Sequence, residues 1–243
     1  MEALYLTDSY LKEFTSTVEE VNDGKFVVLD QTAFYPAGGG QPYDEGMMVN
    51  EKGEEFEVIY VGKFSGKISH ELNNTGLSVG DKVKCKINWN RRYKLMKLHT
   101  ATHILSEVLY RETQAIITGG QMGLDKSRMD FSLENYDLEK IKVYIDKVNE
   151  VIEKDLPVSV KFLPREEAMK LPRLSKLAKP LSDSLKIIRI VSIGDFDIQA
   201  DGGTHVRSTK EIGKIEFIKC DNKGKNNRRI YYKLCEDTKV SLA

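Results

Sequence analysis

The sequence predicts an α+β protein: a small antiparallel β-barrel over residues 1–88, followed by a two-layer α/β domain over residues 89–243 with a mainly antiparallel sheet. Three observations lead there. Turn signals ("NDG", "PAGGGQP", "EKGE", "NNTG", "VGD") punctuate the first part of the chain and separate short runs of strand composition. The period changes at "NWNRRY", beyond which apolar residues recur at helical spacing, so a second domain begins near Trp89. The charge changes there too: residues 1–88 hold 8 Lys and Arg against 15 Asp and Glu, a net of −7, while residues 89–243 hold 29 against 22, a net of +7.

In the barrel, "KFVVLDQTAFYP", "GMMVN", "EEFEVIYVGKF", "GKISHEL" and "KVKCKINW" read as strands. A helix follows over Arg91 to Thr113, with Leu95, Leu98, Leu105 and Val108 or Leu109 on one stripe. "GGQMGLDKSRMDFSL" is a turn and strand, and Leu138 to Leu156 is a periodic helix with its lysines and glutamates outside. "PVSVKFLP" is a strand, and "PREEAMK" a short helix with Pro164 near its start. "LKIIRIVSIG", "FDIQA", "EIGKIEFIKCD" and "RRIYYKLCE" are strands, the last two a hairpin around "NKGKNN". There is no internal repeat and no low-complexity segment.

With 40% hydrophobic and 30% charged residues, the chain has the composition of a soluble globular protein. It lacks a long apolar run and a secretory N-terminus, so a cytoplasmic location and no membrane partner are expected. Cys85, Cys220 and Cys235 are odd in number and widely spaced, which argues against a disulfide framework or a four-cysteine zinc module, and they read as buried thiols. An acidic half joined to a basic half is one pattern of a polyanion binder.

Two of the four histidines, His99 and His103, lie four positions apart in "HTATH". That spacing puts both on one helix face, within reach of a single metal ion or, equally, at the hydrogen-bonded edge of a buried stripe. No glutamate follows the first histidine, which excludes the zinc-protease helix. Further ligands can come from anywhere in the chain. "QADGGTHVRSTKEIG" offers His205 after the Gly202-Gly203 turn and Asp201 four residues before it, and the turn would let both converge on the pair. His70 stands alone in a polar strand.

"HTATH" followed about a hundred positions later by "DGGTH" resembles the editing domain of alanyl-tRNA synthetase and its free-standing relatives, the AlaX editing proteins. "TAFYPAGGGQP" (Thr32 to Pro42) is similar to the glycine-rich motif of that family's barrel, "SRMDFS" to its strand motif and "GKNNRRIYY" to its closing hairpin. The resemblance implies a trans-editing deacylase that hydrolyses alanine tRNA mischarged with serine, and in some members glycine. It makes His99, His103 and His205 ligands of one Zn2+ per chain, and puts Asp201 where the family usually has cysteine. Aspartate is a harder ligand than a thiolate, so either the set is all N/O or water takes the fourth position.

A pocket that binds serine and rejects alanine needs a polar group for the serine hydroxyl. Motif resemblance makes Thr32 the candidate, with Gln41 and Thr102 as further ones. Gly38, Gly39 and Gly40 lack the helix and Lys-Ser/Thr of a nucleotide-binding loop, so no ATP is expected; the resemblance sets their amides near the tRNA terminus or the pocket mouth. Arg91, Arg92, Lys94 and Lys97 near the histidine helix, and Lys223, Lys225, Arg228 and Arg229 in the last hairpin, are candidates for tRNA phosphate contacts. The rival readings are an inactive tRNA-binding module of the same fold and a metal-dependent hydrolase of a small ester or amide.

Overall fold

Alternation of inward apolar and outward polar residues along the early strands needs a closed surface to bury one face. The computed structural model, which describes residues 2–134, 137–171, 174 and 182–235, provides one. β1 (Glu2–Ala3) pairs in parallel with β4 (Gln31–Thr32). β2 (Glu13–Asn22), β3 (Phe26–Leu29), β5 (Gly46–Asn50), β6 (Glu55–Phe64), β7 (Lys67–Leu72) and β8 (Lys82–Ile87) close an antiparallel barrel in the order β2-β3-β7-β6-β5-β8. Val27, Leu29, Met48, Phe56, Val58, Val61, Leu72, Val83 and Cys85 fill it.

β2 is a strand that sequence reasoning missed. Its run "EFTSTVEEVN" is mostly polar, and one inward position is Ser16, whose hydroxyl is satisfied by the Asp30 carboxylate and the main chain of Gln31. A polar residue that is hydrogen-bonded inside leaves no apolar period to read. His70 is likewise not in a polar environment. It is fully buried on β7, its Nδ1 bonded to Val27 O at 2.9 Å and its Nε2 to Thr32 Oγ1 at 2.9 Å. Of the cysteines only Cys85 is buried; Cys220 and Cys235 are half-buried.

The chain divides into two compact units, one running to Met96 together with Gly202–Thr204, the other comprising Lys97–Asp201 and the residues from His205 onward. α1 (Trp89–Thr113) starts in the first and continues into the second. In the first unit Arg92 is fully buried. Its guanidinium pairs with the equally buried Asp44 and donates to Ser9 O and Ala33 O. Asp44 also accepts from Tyr35 N, so the carboxylate is satisfied on both sides.

The second unit holds two antiparallel sheets. β9 (Ile117–Gln121), β10 (Ser127–Phe131), β14 (Ile215–Asn222) and β15 (Arg228–Leu234) form one in the order β14-β15-β10-β9. β11 (Val158–Pro164), β12 (Ile187–Ile193) and β13 (Asp197–Ala200) form the other in chain order. Glu236, the last residue of the expected final strand, lies outside the described residues. α2 (Leu138–Glu153) is capped by Asp137, which accepts from Glu139 N, and buries Ile141, Ile145, Val148 and Ile152 along one face. Its buried Asn149 exchanges two 2.9 Å hydrogen bonds with the main chain of Ile215, fixing where β14 begins. α3 (Arg165–Ala168) is a single turn after Pro164. No helix among the described residues is long and apolar enough to cross a membrane.

Two stability measurements follow. Asp44→Ala leaves Arg92 buried and uncompensated, and lowers the free energy of unfolding in urea by about 3–5 kcal/mol; a loss below about 1 kcal/mol would refute the importance of the pair. Burial holds the His70 imidazole down at about 4, against an ordinary value of 6.5. The unfolded chain therefore takes up the proton first: the stability from neutral His70 is complete above pH 6.5 and is lost as pH falls toward 4, roughly 3 kcal/mol in all. His70→Asn accordingly flattens the fall of urea midpoint between pH 7 and pH 4.5, and an unaltered slope would assign it elsewhere.

Candidate metal centre

On α1 every residue from Leu98 to Leu109 is buried, so the expected single apolar stripe is instead a helix enclosed on all sides. Enclosure forces its polar side chains to find partners. His99 and His103 project from one face, one turn apart, with ring centroids 5.2 Å from each other. The His205 ring lies 4.4 Å from that of His99 and 4.7 Å from that of His103. Asp201, at the exit of β13, presents its carboxylate to all three: His205 Nε2 at 3.0 Å, His99 Nε2 at 3.5 Å and His103 Nε2 at 4.0 Å.

One ligating atom from each of His99, His103, Asp201 and His205 lies within 4.8 Å of the others, and together they form a group that can hold a metal ion. Metal bonds of about 2.0–2.2 Å to N and O at tetrahedral angles put ligand atoms roughly 3.3–3.6 Å apart, within the spread of these distances. The donor chemistry fits as well. Burial holds His99 well below its ordinary pKa and brings His205 down to about 4, so these two imidazoles are neutral at pH 7. Burial alone would raise the Asp201 carboxyl, but the imidazoles, His99 foremost, outweigh it and hold it well below the usual range. Neutral imidazoles at His99 and His205 and an ionised Asp201 are protonation states that a divalent cation requires.

Two neighbours of the group were not found by sequence reasoning. Thr100 Oγ1 lies 3.1 Å from His205 Nδ1 and accepts from Val206 N at 3.3 Å. A hydroxyl can give or take a proton, so it serves His205 whether Nε2 donates to Asp201 or turns its lone pair to a cation. Arg189, on β12, donates to Asp201 O at 2.8 Å and reaches within 3.8 Å of its Oδ2, fixing the residue by main chain and charge together.

The remaining candidates are dispersed. Thr102 turns to β15: its hydroxyl donates to Leu98 O and meets the Tyr232 hydroxyl. Thr32 is buried in the barrel unit, bonded to His70 Nε2 and accepting from Phe34 N. Gly38, Gly39 and Gly40 make a tight turn closed by reciprocal main-chain bonds between Gly38 and Gln41. Its central residues Gly39 and Gly40 have φ of +58° and +83°, the left-handed pair of a type I′ turn. The turn presents Gln41, whose amide donates to Thr204 Oγ1 at 2.9 Å and accepts from Thr204 N at 3.1 Å. Thr204 immediately precedes His205 in the chain.

Most of the arginines expected at phosphates are engaged within the protein. Arg92 is the buried partner of Asp44, which removes it from any surface. Arg228 is buried, donating to Asn222 Oδ1 and to the carbonyls of Gly224, Asn227 and Glu134. Arg229 is held by both oxygens of Asp130, at 2.7 and 2.8 Å. Arg91 donates to Tyr43 O and pairs with Glu45. Lys223 and Lys225, at the tip of the β14–β15 hairpin, are exposed, as is Lys94, while Lys97 is half-buried.

Comparison with known proteins points the same way as the geometry. Residues 4–91 match the family described as tRNA synthetases class II (A), and residues 188–231 the one described as Threonyl and Alanyl tRNA synthetase second additional domain. The chain is 52% identical to the alanyl-tRNA editing protein AlaX-M of Methanosarcina barkeri over 97% of its own length and 99% of that protein's. It is 47% identical to the AlaX-M of Saccharolobus solfataricus over 95% and 98% of the two chains. It is also 37% identical to the alanine-tRNA ligase of Pyrobaculum neutrophilum, matching over 90% of this chain and 25% of the ligase.

In the metal-free protein His205 titrates near pH 4 and His99 also below the ordinary range. Ring-proton NMR between pH 7.5 and 5.5 should therefore show both signals stationary, and a midpoint near 6.5 for either would mean that the site is open to water.

Proposed function

The chain belongs to the AlaX family of alanyl-tRNA editing proteins, and from that premise we propose that it is a trans-editing deacylase that hydrolyses the ester of alanine tRNA mischarged with serine and, secondarily, with glycine. The observation that carries the reading is the buried group of His99, His103, Asp201 and His205. These residues hold one Zn2+ per chain; when bound, the ion offers a Lewis acid to the ester carbonyl or to a water whose pKa it lowers toward about 7. Neutral imidazoles give it lone pairs, and Asp201 an anionic oxygen. An all-N/O set is harder than the cysteine-containing one, so zinc is held less tightly than by a thiolate.

Thr32 is the proposed determinant for serine. The Val27 carbonyl can only accept, so His70 carries its proton on Nδ1 and its Nε2 takes the Thr32 hydroxyl proton. The Thr32 oxygen also accepts from Phe34 N, and one lone pair remains for a serine hydroxyl. Gln41 holds Thr204 by two hydrogen bonds, one to its hydroxyl and one from its main-chain N–H. Phosphate contacts fall to Lys223 and Lys225, whose exposure suits them to position RNA without reading its sequence. No ATP takes part, because an aminoacyl ester is already activated.

The test is release of labelled serine, glycine and alanine from the corresponding charged alanine tRNAs. Serine should leave fastest and alanine slowest; His103→Ala or chelation of the metal should cost at least about 100-fold in rate, and Thr32→Val should erode the preference for serine over alanine. Folded protein that binds the tRNA and hydrolyses none of the esters would establish the inactive binding module instead. Replacing Lys223 and Lys225 together by Ala should reduce the salt slope of tRNA binding by about 2, roughly one for each lysine that no longer meets a phosphate.

A further inference from the structure

β13 carries two buried polar side chains that the hydrolysis itself does not use, Asp197 and Gln199. Strand side chains alternate between faces, so positions 197 and 199 share the face that leads to Asp201 at the strand's exit. Asp197 Oδ2 lies 3.4 Å from His103 Nδ1, the ring nitrogen opposite the one that faces Asp201; this is an approach of charge to ring rather than an aligned hydrogen bond, and Nδ1 is buried with no other partner among the described residues. Gln199 Nε2 donates to that same Asp197 oxygen at 2.9 Å and to Ser106 Oγ at 3.1 Å. Ser106, one turn beyond His103 on α1, donates back to His103 O at 2.8 Å. Hydrogen bonds thus join Asp197, Gln199, Ser106 and the His103 main chain, the Asp197 carboxylate ends beside the His103 ring, and each of the four residues is no more than 5% exposed.

An ionised carboxylate only accepts, so the nitrogen that faces it carries the proton and the other ring nitrogen keeps its lone pair. We propose that Asp197 is a positioning residue of the metal centre. It fixes His103 as the Nδ1–H tautomer, aims Nε2 at the ion and strengthens that nitrogen as a donor, while Gln199 and Ser106 keep the carboxylate in place. The proposal rests on the reading of His99, His103, Asp201 and His205 as a zinc site. A purely structural role accounts for Asp197 less well, because burying a carboxylate is unfavourable and an apolar residue would fill the space on β13 without that cost.

Zinc affinity, measured by competition with a chromophoric chelator, and the d–d spectrum of the Co2+-loaded protein separate the two roles. Asp197→Ala should weaken zinc binding about 10- to 100-fold and shift the cobalt spectrum, with circular dichroism and the melting of the metal-free chain reporting on its fold. Asp197→Asn keeps the shape and an acceptor oxygen but not the charge; it should fall between the wild type and the alanine variant, and it decides the matter if the alanine variant does not fold. A folded variant with wild-type zinc affinity and an unchanged cobalt spectrum would overturn the role of Asp197 alone. Failure of the wild-type chain to bind zinc would overturn the metal-centre reading and this proposal with it.

Discussion

Enclosing a polar stretch of helix is the constraint on which the second unit depends. Between Leu98 and Leu109, α1 buries His99, Thr100, Thr102, His103, Ser106 and Glu107 among apolar residues. A buried polar group left without a partner costs on the order of 1–3 kcal/mol, and six such groups would exceed a typical margin of stability. Most are met by a defined neighbour: His99 by Asp201, Thr100 by His205 and Val206 N, Thr102 by Tyr232, Ser106 by Gln199 and Glu107 by Arg111, while His103 Nδ1 has only the approach of the Asp197 carboxylate at 3.4 Å among the described residues. The partners come from β13, the segment after it, β15 and α1 itself, so satisfying the helix also fixes where those elements lie.

That requirement separates what was legible in the sequence from what was not. Five barrel strands could be read because their inward residues are apolar, whereas β2 hides one inward position behind Ser16. The convergence of His99, His103, Asp201 and His205 was legible because histidine is scarce in this chain, the His99–His103 spacing is helical, and a double-glycine turn adjoins His205. Its supports were not. Thr100 and Thr102 are equivalent in sequence, and only the packing of α1 decides that the first meets His205 while the second meets Tyr232. Asp197 and Gln199 read simply as parts of a strand; the available signal was the alternation Asp-x-Gln-x-Asp ahead of the glycine turn, polar at every inward position where a core strand would be apolar.

Asp201 gains significance from the same packing. A carboxylate surrounded by three imidazoles is stabilised as an anion, and Arg189 fixes its main chain and approaches its outer oxygen. Aspartate at this position is therefore built into its surroundings rather than dropped into a space shaped for another residue.

The cations show why a count of charges overstates a surface. Residues 89–243 carry a net of +7, yet Arg92, Arg189, Arg228 and Arg229 are directed inward to carboxylates and carbonyls. The planar guanidinium, with five donors, suits such multiply bonded interior positions, whereas the ammonium of lysine is strongly hydrated and stays at the surface. Arg228 ties together the turn of the β14–β15 hairpin and Arg229 holds β15 to Asp130 of β10, while Lys223 and Lys225 stand exposed in the turn. One short basic run, "NKGKNNRR", thus divides by residue type: its arginines fix the shape of the hairpin, and its lysines supply the charge that a polyanion can meet.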